Sequence, residues 1–153
     1  MTSSAPLTWK GVLLAAGIGL WMPMAAQAVD TPASKDAPDL TAVRAKIKAK
    51  EFASARDDLQ KLASAHEHAD VYNLLGFSLR KTGDYKNALT YYKKALDFDP
   101  EHKGAHEYLG ELYVESDQLD KAKEHLTILV RLCPQGCEER EDLEKAIAAA
   151  TPK

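Results

Sequence analysis

The feature that most constrains this chain is an internal repeat. Residues 69–102 can be laid over 103–136 at an offset of 34. Leu75-Gly76 then falls on Leu109-Gly110, Ala88 on Ala122, and Pro100 on Pro134. Leu79 meets Tyr113 and Tyr92 meets Leu126, so the residue type is mostly kept, whereas His106 under Tyr72 and Leu129 under Ala95 depart from it. A period of this length marks a supersecondary unit that cannot bury its apolar side alone and must stack on its neighbours. The apolar spacing within each unit is helical. Val71, Leu74, Leu75, Ser78 and Leu79 make one stripe, and Lys81-Thr82-Gly83-Asp84 makes a turn. Tyr85, Ala88, Leu89, Tyr92, Ala95 and Leu96 make a second stripe, which Pro100 ends. The next unit repeats this with Ala105, Tyr108, Leu109, Leu112 and Tyr113, then Leu119, Ala122, Leu126 and Leu129. Small residues at Gly76, Ala88, Gly110 and Ala122 allow close approach of two helix backbones, with bulky partners beside them.

The stretches YNLLGFSL…GDYKNALTYYKKALDFDP and HEYLGELY…DQLDKAKEHLTILVRLCP resemble the tetratricopeptide repeat family. The resemblance implies an all-α solenoid of helical hairpins. A weaker copy lies upstream: Leu40, Val43 and Ile47 supply a first helix, and Phe52, Ala55, Leu59 and Leu62 a second. Its turn lacks glycine, and Glu67 stands where proline is expected. Downstream, 139–149 reads as a charged amphipathic helix with Leu143, Ile147 and Ala148 on one face. It is the capping helix that a stack needs to cover its last apolar side. The expected layout is three repeats, at about 39–68, 69–102 and 103–136, a cap at 137–149 and a tail at 150–153.

The front of the chain is chemically different. Lys10 precedes the uncharged run Gly11–Trp21, Pro23 follows, and Ala26-Gln27-Ala28 offers the small-x-small pattern of a cleavage site. That order reads as a secretory signal peptide over 1–28, cleaved after Ala28. The run is shorter than the roughly 20 apolar residues of a spanning helix. Residues 29–38, with two prolines and no apolar period, read as a flexible leader. The expected location is therefore the periplasm or the exterior, with no membrane span in the mature form. A net charge of −3 with both signs interspersed gives no basic block for nucleic acid.

In this family the first helix of each pair lines a concave face that receives a peptide or helix of another protein. Carried over by residue, that face takes Arg44 and Lys48 from the first unit. It takes Asn73, Phe77, Arg80 and Lys81 from the second, and Glu107, Glu111 and Glu115 from the third. The three glutamates stand four apart, a spacing at which like charges destabilise a helix by roughly 0.2–0.5 kcal/mol per pair. They are either an acidic surface for a basic segment of the partner or a solvated face. On this reading, neutralising all three leaves the free protein unchanged or slightly more stable. Phe77 is either an aromatic anchor of the groove or packing between neighbouring helices. The carboxylate clamp of chaperone-binding members is not expected. Its matching places are Leu40, Arg44, Leu74, Gly104 and Tyr108, and only Arg44 is a cation.

Cys133-Pro-Gln-Gly-Cys137 lies between the last repeat and the cap. An even cysteine count in an exported chain favours a structural disulfide. Free thiols, redox chemistry and metal binding stay open beside it. His66, His68, His102 and His106 fall in or near inter-repeat turns without a complete ligand set, and are expected as exposed turn residues. There is no Gly-rich phosphate loop, G-x-S-x-G or H-E-x-x-H, so no catalytic residue, metal site or cofactor is expected. The leading expectation is a non-enzymatic adaptor or scaffold in a bacterial envelope. The alternative is a thiol- or metal-handling accessory protein that uses Cys133 and Cys137.

Overall fold

Helical spacing governs the whole structured part of the chain. The computed structural model describes residues 38–151, and its regular elements are all helices, with no strand among the described residues. In chain order they are α1 Thr41–Lys48, α2 Phe52–Ala65, α3 Ala69–Lys81, α4 Tyr85–Phe98, α5 Lys103–Glu115, α6 Leu119–Leu132 and α7 Glu138–Ala150. The expected signal segment (1–28), nearly all of the leader (29–38) and residues 152–153 of the tail lie outside the described residues.

The helices pack as hairpins: α1 on α2, α3 on α4, α5 on α6. Successive hairpins meet through α2 on α3 and α4 on α5, and α7 packs on both α5 and α6. Each hairpin therefore touches only its neighbours, as in a helical solenoid. The first helices also meet, α3 against α5 and α5 against α7, so they share one side of the stack. No helix among the described residues is long and apolar enough to cross a membrane.

The period is visible in the elements. α3 and α5 have 13 residues each, and α4 and α6 have 14 each. α2 also has 14 residues, but α1 has only 8. The connection between α2 and α3 (66–68) is one residue shorter than that between α4 and α5 (99–102), which puts the first copy out of step. The intra-hairpin turn needs a left-handed residue. Gly83 takes φ +87°, and in the corresponding turns Lys50 and Asp117 take φ +60° and +58°. Glycine enters that region without a Cβ penalty, and the other two do not. The first hairpin thus has the required turn without the glycine that would have revealed it.

Helix starts are also repeated. His68 Nδ1 accepts the Asp70 N–H at 3.2 Å at the head of α3, and His102 Nδ1 accepts the Ala105 N–H at 3.1 Å at the head of α5. The two histidines are helix caps one repeat apart, each satisfying an amide that the helix leaves unpaired.

Inside the stack, small residues lie under large ones. Ala55, Ala88 and Ala122 are fully buried on the second helices. A Cβ placed on Gly76 would come within 2.7 Å of the Tyr92 ring, and one on Gly110 within 2.5 Å of Leu143 Cδ2. Tyr92 and Leu143 are themselves fully buried, so neither has free space to retreat into. The α7 seal uses Leu143 and Ile147, while Ala148, expected on the same face, is exposed.

This interlock predicts the sign of a substitution that helix propensity alone would get wrong. Alanine is favoured over glycine inside a helix by about 1 kcal/mol. Gly76→Ala is nevertheless expected to lose about 1–3 kcal/mol of stability through overpacking against the Tyr92 ring. In a Tyr92→Leu background, which gives the second hairpin the residue found at Leu126 of the third, the loss should shrink. Urea unfolding of the four proteins in that cycle checks it, and additive costs would show that the ring is not the obstacle.

Candidate functional site

The side shared by the first helices carries a concavity of about 330 Å³. It is lined by Arg44 of α1, Asn73 and Leu74 of α3, Glu107 and Tyr108 of α5, and Asp142 of α7, among others. Arg44 is exposed and lies 3.8 Å from Asp70. His102 Nε2 also meets Asp70 Oδ1, at 3.0 Å. The His102 hydrogen bond first, with the Arg44 charge, holds the Asp70 carboxyl below its usual range. The Arg44 guanidinium and the His102 ring are thus directed at a carboxylate already present.

Asn73 is only 4% exposed, and its side-chain oxygen has no hydrogen-bond partner. It sits against the first turn of α5, where a Cβ on Gly104 would come within 3.1 Å of its Nδ2. Glu107 is 8% exposed. Burial first, then Glu111, Asp142 and Glu139, push its carboxyl up to about 8 against the opposing Arg80 charge. Tyr108 is pushed up to about 12, by burial first and then by Glu107 and Glu111.

A second cluster adjoins the first through Tyr108. Arg80 is almost wholly buried. It donates to Glu115 Oε1 at 3.0 Å and to Glu111 Oε2, joining α3 to α5. Its guanidinium lies 5.7 Å from the Phe77 ring centre and 5.8 Å from that of Tyr108. Burial works against its charge, but Tyr92, Glu111 and Glu115 outweigh burial and its pKa rises. Phe77 is half-buried, with its ring 4.8 Å from Tyr108 and 5.9 Å from Phe52, and with the exposed Lys81 ammonium 5.3 Å from it. Lys48 is exposed near the end of α1 and is not among the residues lining the concavity.

The expected groove residues therefore divide. Arg44, Asn73 and Glu107 meet in the concavity, while Phe77, Arg80, Glu111 and Glu115 form the adjoining cluster. The glutamate stripe has an internal partner that its spacing did not reveal. Two of its three members answer a buried arginine on the preceding repeat. Sequence reasoning passed over Asp70 and took Asp142 only as part of a charged cap; it expected His102 and His106 as exposed turn residues, whereas His102 is half-buried against Asp70 and His106 is buried within α5. The 34-residue offset of His68 and His102 was the available signal for the helix heads.

The Cys133 and Cys137 Cα atoms are 6.0 Å apart, a span that a disulfide bridges, with the two sulfurs adjacent. The residues between them include Gly136 at φ +98°, and they connect α6 to α7. Among the described residues, no three His, Cys, Asp or Glu side chains converge as metal ligands.

Two family profiles described as tetratricopeptide repeat match the chain, over residues 40–102 and 79–132. Together they span α1 through α6 and most of the period found above. The chain is a tetratricopeptide repeat protein. It is similar to the BBSome complex member BBS4 of Bos taurus, at 36% identity over 77 residues. That match covers 50% of this chain and spans only 15% of that relative's length. Among solved structures it is similar to the Yersinia enterocolitica type III secretion translocator chaperone SycD, with a TM-score of 0.63 at 17% identity, covering 71% of this chain and 86% of that one. It is also similar to PcrH, solved in complex with the chaperone binding region of PopD, with a TM-score of 0.61 at 18% identity, covering 71% and 83%. At these identities the likeness to both chaperones is one of fold.

One position pair sets the third tetratricopeptide repeat apart from the second. Tyr72 stacks on Tyr91, with ring centres 6.1 Å apart. One period later stand His106 and His125, whose Nδ1 atoms lie 2.8 Å apart. His106 Nε2 also faces the Pro100 carbonyl at 3.0 Å. A pair at this distance holds one proton between the two nitrogens and has no room for two. Burial first, and then His106, bring His125 down to about 4, and burial lowers His106 as well.

Two predictions follow from these clusters. Glu111→Gln with Glu115→Gln leaves Arg80 charged and buried without a counter-ion, so it should destabilise the protein by up to about 3–5 kcal/mol. The pair with Glu115, whose side chain is 38% exposed, is screened by solvent, so Glu111→Gln alone should carry most of the loss. This reverses the expectation from spacing, and urea unfolding of the three variants decides it. The second concerns pH. An unfolded histidine titrates near 6.5, well above the folded pair, so the unfolded state binds more protons as the solution becomes acid. The pair's contribution is complete above about pH 7 and falls by about 1–3 kcal/mol towards pH 4. Glu107 acts in the opposite sense, because its raised pKa favours the folded state as protons are added. The proper readout is therefore the stability difference between the wild type and the His106→Tyr, His125→Tyr protein. The wild type should lose stability relative to that variant as pH drops from 7 to 5, and a constant difference would mean that the pair does not titrate with folding.

Proposed function

We propose that this protein is an adaptor of a bacterial envelope that holds a segment of another protein against its first helices. The observation that carries this is the concavity shared by α1, α3, α5 and α7, into whose wall Asn73 brings a buried carbonyl with no partner. A buried acceptor left unpaired is costly, and a bound segment that brings a donor relieves that cost. The likeness in fold to PcrH, solved with the chaperone binding region of PopD, supports a protein ligand for this chain too. Non-enzymatic action, export through residues 1–28 and a Cys133–Cys137 disulfide that fastens α7 are parts of the same reading.

The test is capture from an envelope fraction with the full chain as bait. A protein should be retained by the wild type and lost with Arg44→Ala or Phe77→Ala, while far-ultraviolet circular dichroism shows both variants folded. Retention that is indifferent to both variants would place any contact elsewhere and end the groove reading. In the same preparation, osmotic shock should release a chain that begins at Val29 and has no free thiol. Residues 1–28 retained on membrane-bound protein would reject the export reading without touching the groove.

A further inference from the structure

We propose that the concavity is a site for a single side-chain cation, a lysine or arginine of the bound segment, received between the Asn73 carbonyl and the Glu107 carboxylate with Tyr108 alongside. This rests on the groove reading and names the chemistry that it recognises.

The first ground is a mismatch between burial and partners. Asn73 is 4% exposed with an unpaired side-chain oxygen, and it lines the concavity. Glu107 lines it too, 8% exposed, and makes no ion pair or side-chain hydrogen bond among the described residues. Asn73 and Glu107, on different helices, thus line one space, and neither side chain's acceptor has a partner among the described residues. Buried acceptors call for a hydrogen-bond donor, and a buried carboxylate calls for a charged one.

The second ground is the charge around them. On the α1 and α3 side, Arg44 and His102 are turned to Asp70, so neither is directed at Glu107. Arg80 is engaged by Glu111 and Glu115. From α7 the wall presents only Glu138, Glu139 and Asp142. Asp142 is held at 2.9 Å by Lys145, which is largely exposed and leaves it screened but accessible. Glu138 and Glu139 stand in the first turn of α7, where the helix dipole accounts for an acidic residue. Glu107 stands in the second turn of α5, away from its ends, and no such reason holds it there. Burial first, then Glu111, Asp142 and Glu139, raise its pKa to about 8, so near neutral pH the free chain keeps a proton on Glu107 that an incoming cation displaces.

The third ground is shape. The site is a concavity of about 330 Å³, at the small end of ligand pockets and suited to one side chain rather than to a stretch of helix. The Tyr108 ring on its wall offers a face to an alkyl-ammonium or guanidinium group.

The experiment titrates the full chain with two blocked peptides, tri-lysine and its fully acetylated counterpart. It follows heat by calorimetry and the Asn73 side-chain amide by NMR. The tri-lysine peptide should bind and shift that amide, and the acetylated peptide should not. Glu107→Gln should weaken tri-lysine binding at least tenfold, whereas Glu124→Gln, an equal charge change on the exposed face of α6, should leave it within twofold. If Glu107→Gln fails to fold, Glu139→Gln at the rim serves in its place, with a loss of threefold or more expected. Absence of tri-lysine binding, equal binding of the acetylated peptide, or indifference to the Glu107 and Glu139 changes would each overturn the cation site. A captured partner that is lost with Arg44→Ala or Phe77→Ala but binds Glu107→Gln normally would overturn this proposal alone and leave the groove standing.

Discussion

Everything in this fold depends on letting a large ring lie directly against a helix backbone. Tyr92 of α4 reaches across its hairpin onto Gly76 of α3, where even a methyl group would overlap the ring. The contact is dry and fully buried, so it fixes the distance between the two helices of the second hairpin. Leu143 of α7 makes the same kind of contact on Gly110 of α5, and it sets how closely the last helix seats on the stack. The side chains that fill these contacts come from different places: within the hairpin in one case, from the following helix in the other. The glycine is what recurs at the 34-residue period, because the recurring requirement is a backbone that can be approached.

Close seating has an electrostatic consequence. Bringing α3 and α5 together buries Arg80, and a buried guanidinium is tolerated only with good counter-ions and hydrogen bonds. Glu111 and Glu115 supply them from the neighbouring repeat, a turn apart on one face of α5. The like-charge repulsion that makes the stripe look costly in an isolated helix is cancelled by the arginine between two of its members. Phe77 and Tyr108 stack beside the guanidinium, so the aromatic residues and the ion cluster form one unit bridging two repeats. What remains of the stripe is Glu107, one turn nearer the head of α5 and out of reach of that arrangement.

The period, the helical spacing and the closing helix were legible because they are carried by residue type at fixed intervals. Leu75-Gly76 and Leu109-Gly110, Ala88 and Ala122 state the hairpin and its close contact directly in the sequence. The first hairpin was harder to place, since Lys50 adopts the left-handed turn without glycine and the following connection is a residue short. The site was legible only in part. The resemblance to tetratricopeptide repeats put the first helices on a concave face, so Asn73, Phe77 and Glu107 could be assigned to a common side. Partners 31 and 35 residues apart are not written in any local pattern, and so Arg80 read as one more basic groove residue. The His106–His125 contact was hidden for the same reason. Each histidine departs from a tyrosine of the preceding repeat, and only the stacking of Tyr72 on Tyr91 shows that the two departures belong together.

The placement of buried polar groups separates the two kinds of helix by role. Asn73, Ser78, Arg80, His106 and Glu107 are the buried polar and charged residues, and all five lie on α3 or α5. The second helices α2, α4 and α6 bury alanine, leucine and Tyr92 instead. Apolar burial is non-directional and tolerates exchange within limits of volume, which suits surfaces whose task is to hold the stack together. Buried polar groups fix direction and partner, at a cost in stability whenever one is left unpaired. A fold selected for stability alone would have little reason to place them all on the first helices of its hairpins. Arg80 and His106 have found partners within the chain, whereas the Asn73 oxygen and the Glu107 carboxylate have not. Ser78 Oγ, Arg80 Nε and the Tyr92 hydroxyl are unpaired too, but only Asn73 and Glu107 line the concavity, and that placement is the strongest reason to regard the first helices as the working side of the molecule.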